Sequence, residues 1–271
     1  MIKNLIKNFL IQLGLYEKLV WSNAYIRFSR WRHPRIKQSL ENEIKFLSKV
    51  THAEWSYFDV GANIGDQTEI FLFLKAKKVL SIEPDCRNNR ILNYRFSKNK
   101  KVTVFKAAVS DQEGTGEFFR LSEGNAYNTL SPKWKDLLED ASLNRFGMSV
   151  AFSDKVSVST RTLDSLIQDY GKPNCIKIDV EGYELQVVRG LSEQINLIWF
   201  EANLPEFLDE TIGCIFHLKK IAPETLFNCT RGCLGVNGIQ FEFSKWIKAD
   251  DMVTWIKESK CRFFEIFAKN K

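Results

Sequence analysis

The hydrophobic residues of this 271-residue chain change their spacing near residue 50. Before that point they recur every three or four positions, which predicts helices over about 1–16 and 40–50. After it, short β-branched and aromatic runs alternate with helical patterns. The first of these runs predict strands at Tyr57–Val60, Lys78–Glu83 and Val102–Phe105. Because helices separate them, the order predicts a parallel sheet with right-handed crossovers, as in doubly wound α/β proteins.

The second half of the chain continues the alternation but contains one long interruption. Residues 122–154 form an irregular polar stretch, and a loop of this length inside a compact domain is typically a lid or a binding loop. We therefore predict a lid or acceptor loop there. Further strands are predicted at 117–119, 156–158, 175–178, 196–201, 225–228 and 262–267, and further helices at 162–170, 183–189 and 211–220.

The composition indicates a folded globular protein. Hydrophobic residues make up 44% of the sequence, and no run of about 18 apolar residues predicts a membrane-spanning helix. The N-terminus lacks the short apolar core and the cleavage site of a secretory signal. The six cysteines form no C-x-x-C pair, which favours reduced thiols. We therefore expect a cytoplasmic protein.

The positive charge of the chain is concentrated in its N-terminal segment. Residues 1–50 carry +7, and the rest carries −1. The segment is predicted to be either a basic helical cap on a domain formed by residues 51–271, or an arm that contacts anionic lipid or a polyanionic glycan through residues 1–35. In the second case the protein would be peripheral at the inner face of the membrane. No nucleic-acid-binding motif is recognisable, so no nucleic-acid partner is expected.

A glycine-containing turn, Asp59-Val-Gly-Ala-Asn-Ile-Gly65, follows the first predicted strand. Glycines let the backbone turn sharply and expose N–H groups to a ligand. Glu83 follows Gly61 by 22 residues, a spacing that places a carboxylate on ribose hydroxyls. A dinucleotide-binding turn has the pattern G-x-G-x-x-G, but Asn63 occupies the place of the second glycine. Asp59 and the acidic strand ends instead suit the cationic groups of S-adenosylmethionine better than a pyrophosphate.

Two carboxylates, Asp179 and Glu181, follow the buried strand pattern Cys175–Ile178. Acidic side chains are costly to bury unless they bind something, and ligands of parallel sheets bind at the carboxyl ends of the strands. If the strand continues through Val180, both carboxylates point to the same side, and Lys177 shares that side. The sequence therefore predicts a reaction centre formed by these acids and the lysine.

Three roles for the acidic pair remain open at this stage. In the first, Asp179 is a general base for an acceptor hydroxyl and Glu181 orients the acceptor. In the second, the pair holds a divalent cation together with a third acid such as Glu201. In the third, Glu181 has a purely structural role, in which it caps the following helix and pairs with Lys177. The predicted catalytic residues are Asp179, Glu181 and Lys177.

The motifs occur in the order of a known family. Asp59–Gly65, Ile82–Asp85, Ala107–Asp111, Arg161–Asp164 and Ile176–Glu184 resemble the successive motifs of FkbM-family methyltransferases. Together they cover about residues 55–205. The resemblance implies a class I methyltransferase fold, which is a Rossmann-like, doubly wound, seven-stranded sheet with an antiparallel last strand. The basic segment would then be a helical N-terminal extension.

The resemblance also implies a cofactor and positions for its parts. The cofactor would be S-adenosyl-L-methionine, and a divalent cation is not established by the motifs. The methionine part would be held by Asp59, Gly61, Asn63 and Gly65, the ribose by Glu83, and the adenine by the stretch from Ala108 to Asp111.

We therefore expect an O-methyltransferase that acts on a hydroxyl of a saccharide, glycolipid or related natural product. Two other classes stay open. One is an NAD(P)-binding oxidoreductase with a Rossmann fold, against which Asn63 argues. The other is a non-enzymatic module that docks to a membrane or polyanion through residues 1–50. The identity of the acceptor and the oligomeric state do not follow from the sequence.

Overall fold

The computed structural model describes residue 9 and the ranges 15–140, 150–231 and 238–270. Its strands are β1 (Ser56–Val60), β2 (Lys78–Ile82), β3 (Val102–Phe105), β4 (Ala108–Val109), β5 (Gly114–Arg120), β6 (Asp154–Arg161), β7 (Cys175–Ile178), β8 (Leu197–Asn203), β9 (Leu226–Arg231) and β10 (Phe263–Lys269). Its helices from Tyr16 onwards are α1 (Tyr16–Val20), α2 (Asn23–Arg32), α3 (Pro34–Leu47), α4 (Asp66–Phe73), α5 (Cys86–Phe96), α6 (Pro132–Glu139), α7 (Leu163–Tyr170), α8 (Glu184–Arg189), α9 (Leu208–Ile221) and α10 (Ala249–Glu258).

Seven strands form one sheet in the order β3-β2-β1-β7-β8-β10-β9. The strands from β3 to β8 run parallel, and β10 runs antiparallel to both of its neighbours. The chain winds outward from β1 in one direction and from β7 in the other, so a crevice opens between their carboxyl ends. This order confirms the predicted doubly wound sheet with an antiparallel last strand.

Apolar layers cover both faces of the sheet. The layer under α3 and α4 contains stacked aromatic rings, with centroids 4.3 Å apart for Tyr57 and Phe71 and 5.4 Å apart for Trp199 and Phe267. Burial of each such side chain contributes about 2–3 kcal/mol. Lys177 is paired in register with Trp199 on the neighbouring strand, so its side chain leaves the sheet on this same face.

The segment 122–154, predicted as one irregular loop, contains helix α6. The helix begins after Ser131, whose hydroxyl accepts the backbone N–H of Trp134 at 3.1 Å, and Pro132 occupies its first turn. A Ser-Pro start followed by apolar residues at helical spacing was a signal for this helix in the sequence. The part of the predicted loop at 141–149 lies outside the described residues.

Between Tyr16 and Leu47, the N-terminal segment forms three helices that differ in how they contact the domain. Helix α3 packs onto the sheet through Phe46 and Leu47, which are buried. Helix α1 is tied to α5 by an ion pair of 2.9 Å between Glu17 and Arg87. The helix predicted over 1–16 lies mostly outside the described residues. Each helix within the described ranges lacks the length or the apolar character that crossing a bilayer requires.

Candidate active site

The turn after β1 has the backbone that its glycines allow. Gly61 and Gly65 have positive φ angles of 75° and 88°, and Asn63 has φ of 49°. A Cβ atom on Gly61 would lie 1.8 Å from the backbone oxygen of Asp179, so the position accepts no side chain. This close approach brings the end of β1 directly against the residues that follow β7.

Asp59 lies behind the turn and is fully buried. Its Oδ2 accepts a hydrogen bond of 2.6 Å from the hydroxyl of Thr68, and its Oδ1 is 4.0 Å from Nζ of Lys177. Burial raises the pKa of Asp59, and the charge of Lys177 opposes that shift. Asp59 therefore supports the turn and the lysine from behind, while Gly65 begins α4 and packs against α5.

Glu83 follows β2 and faces the turn. Its Oε2 accepts the backbone N–H of Asn63 at 2.8 Å, and its Oε1 accepts that of Asp85 at 2.8 Å. Burial nevertheless raises the pKa of Glu83 to about 7. Because each carboxylate oxygen has a further lone pair, Glu83 can accept ligand hydroxyls in addition to these two bonds.

The acidic stretch leaves the extended conformation earlier than expected. Strand β7 ends at Ile178, and Glu181 has a φ of 55° in the left-handed region. The premise that strand alternation orients Asp179 and Glu181 is therefore wrong, since the strand does not continue through Val180. A turn orients them instead, and both side chains line the same cavity.

Contacts on both sides hold this turn in place. The hydroxyl of Thr129 donates to the backbone oxygen of Glu181 at 2.7 Å. Oε1 of Glu184 accepts the backbone N–H groups of Val180 and Gly182 at 3.2 Å and 3.3 Å. Glu184, and not Glu181, therefore bonds the backbone of the turn that leads into α8, whose start at Tyr183 has no side-chain cap.

Lys177 pairs with Asp179 and not with Glu181. Its Nζ donates to Oδ2 of Asp179 at 2.8 Å. Burial alone would lower the pKa of Lys177, but the charges of Asp179 and Asp59 raise it. The neighbouring carboxylates therefore favour the charged form of the lysine. Within the described residues, Glu181 makes neither the helix cap nor the ion pair with Lys177 that its purely structural role requires.

Further carboxyl groups surround the lysine. Glu201 and Glu265 are directly paired across β8 and β10, where like charges repel unless a cation or a proton intervenes. Glu43 reaches the same cavity from α3. Burial raises the pKa of Glu265 to about 8 and that of Glu43 to about 7. Sequence reasoning missed Glu43 and Glu265, although Glu43 precedes the buried Phe46 by three residues on the packed side of α3.

The pKa of Glu181 is shifted by burial and by the carboxyl groups around it. Burial raises the pKa of Glu181 well above its usual value, and the nearby carboxylates of Glu201 and Asp179 raise it further. Burial also raises the pKa of Glu201, whose Oε2 accepts a hydrogen bond of 3.0 Å from Asn203. A carboxyl group with a raised pKa is a stronger base once it is ionised.

A cavity of about 400 Å³ lies at the carboxyl edge of the sheet. Within the described part of the chain, its charged lining consists of seven carboxyl groups and one ammonium group, namely Glu43, Asp66, Glu83, Lys177, Asp179, Glu181, Glu201 and Glu265. Such a cavity favours a ligand that carries positive charge.

The other predicted site residues are placed unevenly. Ala108 lines the cavity, whereas Asp111 is exposed and is not among the described lining residues. Glu201, the third acid considered for a divalent cation, lines the cavity with Asp179 and Glu181. Across the ranges 15–140, 150–231 and 238–270, however, no three His, Cys, Asp or Glu side chains are arranged to hold a metal ion.

The predicted lid or acceptor loop supplies polar lining. Asn125, Asn128 and Thr129 face the cavity. Trp134, by contrast, is only 1% exposed and packs with Phe207 in a small apolar cluster, so it is not available to stack on a sugar ring.

The chain is similar to several methyltransferases. The methyltransferase sdnD of Sordaria araneosa is 30% identical over 161 residues, which are 50% of this chain and 60% of that protein. Crystal structures of precorrin-6y C5,15-methyltransferase from Geobacter metallireducens and of an rRNA methylase from Streptococcus thermophilus are similar at TM-scores of 0.43 and 0.42. Each is 9% identical, and the alignments cover 85% and 84% of this chain and 87% and 93% of those chains. The family model of the methyltransferase FkbM domain matches residues 59–258. The chain therefore belongs to the FkbM methyltransferase family.

Proposed function

We propose that the protein transfers a methyl group from S-adenosylmethionine to a hydroxyl oxygen of a saccharide, glycolipid or related natural product. One observation carries the proposal: the carboxyl group of Glu181, with its raised pKa, lines the cavity beside the Lys177–Asp179 ion pair. An alcohol is a weak acid, so a base at this position is useful for its methylation.

Family membership identifies S-adenosylmethionine as the cofactor. The cavity fits it in charge, because the sulfonium and ammonium groups of the cofactor are cations and the lining is acidic. Gly61 and Asn63 of the turn line the cavity, and Glu83 has lone pairs for ribose hydroxyls. We assign the methionine part to Gly61 and Asn63 of the turn, which Asp59 and Gly65 support from behind, the ribose to Glu83 and the adenine to Ala108.

When bound, the cofactor supplies a methyl group on a positively charged sulfur. The residues of the chain then have separate tasks. Lys177 fixes Asp179 at 2.8 Å, and a carboxylate bonded to an ammonium is well suited to orient an acceptor hydroxyl. Glu181 makes no such ion pair with Lys177, and positive charge in the cavity favours its ionised form. We therefore assign the proton transfer to Glu181 and the positioning to Asp179, which exchanges the roles expected from the sequence.

The acceptor class rests on the polar loop. Asn125 of this loop lines the cavity, is partly exposed and carries a side-chain amide that can bond a ligand hydroxyl. Aromatic stacking by Trp134 has no part in the proposal, since that ring is buried.

The test uses the purified protein, S-adenosylmethionine with a labelled methyl group, and fractions of saccharides and glycolipids from cell envelopes. We expect label in a saccharide or glycolipid fraction, and we expect it to resist mild alkali, because methyl ethers survive conditions that hydrolyse methyl esters. Label that alkali releases as methanol, or label on nitrogen, would contradict O-methylation of a hydroxyl. Label confined to RNA or protein would contradict the acceptor class.

A further inference from the structure

The two expectations for the basic N-terminal segment apply to different helices. Helix α3 is the cap, since Phe46 and Leu47 are buried against the sheet. Helix α2 does not bury its large apolar residues. Tyr25, Phe28 and Trp31 are 39%, 50% and 75% exposed.

These exposed rings form a continuous stripe. The ring centroids of Tyr25 and Phe28 are 6.4 Å apart, and those of Phe28 and Trp31 are 6.0 Å apart. Two further apolar residues of the segment, Leu19 on α1 and Ile36 on α3, are 48% and 55% exposed. Contiguous apolar surface of this kind on a folded protein marks an interaction site.

The charge beside the stripe is basic. Arg32, Arg35 and Lys37 are exposed next to Trp31 and Ile36. Residues 1–50 carry +7, whereas the rest of the chain carries −1. Aromatic rings with basic neighbours are typical of helices that lie in the headgroup region of anionic membranes, where Trp and Tyr rings are half immersed.

We propose that the aromatic stripe, defined as Tyr25, Phe28 and Trp31, docks the protein on an anionic lipid surface. A soluble polyanion would engage the basic side chains but would give the exposed rings no apolar environment. The stripe therefore favours lipid over a polyanionic glycan.

The docking would serve the proposed function, because a glycolipid acceptor is displayed at the same surface. Helix α3 links the stripe to the cavity along the chain, since it follows α2 directly and carries Glu43 of the cavity lining. The two proposals can nevertheless fail separately, as vesicle binding requires neither cofactor nor acceptor and methyl transfer can be assayed without vesicles.

The experiment measures sedimentation of the full chain with vesicles. One set of vesicles contains phosphatidylglycerol and phosphatidylcholine, and the other contains phosphatidylcholine alone. We expect binding to the anionic vesicles only, with a partition coefficient that falls by at least about tenfold in a Phe28→Ser/Trp31→Ser variant. Phe216→Ser is the matched control, because Phe216 is 44% exposed on α9 and outside the stripe, and it should bind as the native protein does.

A second variant, Arg32→Gln/Arg35→Gln, tests the charge component and should also lose binding to anionic vesicles. Absence of native binding would overturn the proposal, as would equal binding to both vesicle types. Binding that depends on the arginines but not on Phe28 and Trp31 would indicate a polyanion site instead. A native dimer in sedimentation velocity that the Phe28→Ser/Trp31→Ser variant dissociates, without vesicle binding, would assign the stripe to a second copy of the chain.

Discussion

The hydroxyl of Thr129 donates a hydrogen bond of 2.7 Å to the backbone oxygen of Glu181. This bond joins the polar loop to a residue with a left-handed φ of 55°, a conformation that costs a non-glycine residue about 1–2 kcal/mol. The loop is therefore part of what holds the proposed base in place.

Removal of this hydroxyl should slow methyl transfer. Thr129→Val keeps the shape of the side chain but leaves the carbonyl of Glu181 without its donor, at a cost of about 1–3 kcal/mol. We expect kcat to fall about tenfold, with little change in the affinity for S-adenosylhomocysteine measured by calorimetry. Thr129→Ser, which keeps the hydroxyl, should retain most of the activity. Equal kcat in the Val and Ser variants would show that the bond is not used.

The contact of Gly61 with the backbone of Asp179 should make this glycine irreplaceable. In Gly61→Ala the new Cβ would lie 1.8 Å from a backbone oxygen, which no side-chain rotation relieves. Gly171 is the matched control, because it also has a positive φ, of 88°, but has open space around it. Gly171→Ala should cost about 1–3 kcal/mol of unfolding free energy from backbone strain alone. Gly61→Ala should lower the free energy of unfolding, measured by urea denaturation, by more than this, and it should abolish cofactor binding. Equal losses of unfolding free energy in the two variants would contradict the close approach of Gly61 to Asp179.

The pKa of Glu83 should make stability depend on pH. Its pKa rises from an ordinary value of 4.5 to about 7 on folding, so the folded state binds the proton more tightly than the unfolded state. The resulting stabilisation is complete below about pH 4.5 and is lost as the pH rises through about 7. We expect the free energy of unfolding, relative to Glu83→Gln, to decrease over this interval in urea denaturation at a series of pH values.

Cofactor binding should change in the opposite direction over the same interval. Ionised Glu83 is a better acceptor for ribose hydroxyls, so the increase in melting temperature caused by S-adenosylhomocysteine should grow as the pH rises through about 7. If the increase in melting temperature does not vary with pH in the native protein, the prediction that Glu83 contacts the ribose is wrong.

Glu43 should contribute to cofactor selectivity although it lies outside the matched residues 59–258. S-adenosylmethionine carries one positive charge more than S-adenosylhomocysteine, so the ratio of their affinities reports the charge of the cavity. Glu43→Gln should weaken S-adenosylmethionine relative to S-adenosylhomocysteine by several-fold, on the order of 1 kcal/mol. Glu41→Gln, on the exposed side of the same helix, should leave the ratio unchanged. A ratio that shifts equally in both variants would contradict a specific role for Glu43.

Most of the fold follows from local signals in the sequence. The apolar runs before Asp59 and Asp179 are central parallel strands, and Asp85 and Thr162 accept the backbone N–H groups that begin α5 and α7. Helix α10 (Ala249–Glu258) was missed, because its start carries no side-chain cap at Lys248. The alternation of residues after Cys175 also did not show that β7 ends at Ile178.

The candidate site was predictable only in part. The turn after β1 and the acids after β7 are contiguous motifs, so the sequence alone identifies them. Glu265 reaches the cavity because β10 pairs with β8, and Glu43 reaches it because α3 packs across the sheet. Both are long-range relationships that residue spacing does not encode. Lys177 was predicted on the side of both acids, but residue spacing does not decide that it pairs with Asp179 and not with Glu181.

The most direct test of the account compares methyl transfer by Asp179→Asn, Glu181→Gln and the exposed control Asp111→Asn. With labelled S-adenosylmethionine and the acceptor fraction that the native protein labels, we predict that kcat/KM falls by about 10²–10⁴-fold in Glu181→Gln and substantially in Asp179→Asn. S-adenosylhomocysteine should still bind both variants in calorimetry, and Asp111→Asn should transfer methyl groups as the native protein does. Native turnover in both Asp179→Asn and Glu181→Gln would contradict the account, because the acids at the end of β7 would then have no part in the reaction.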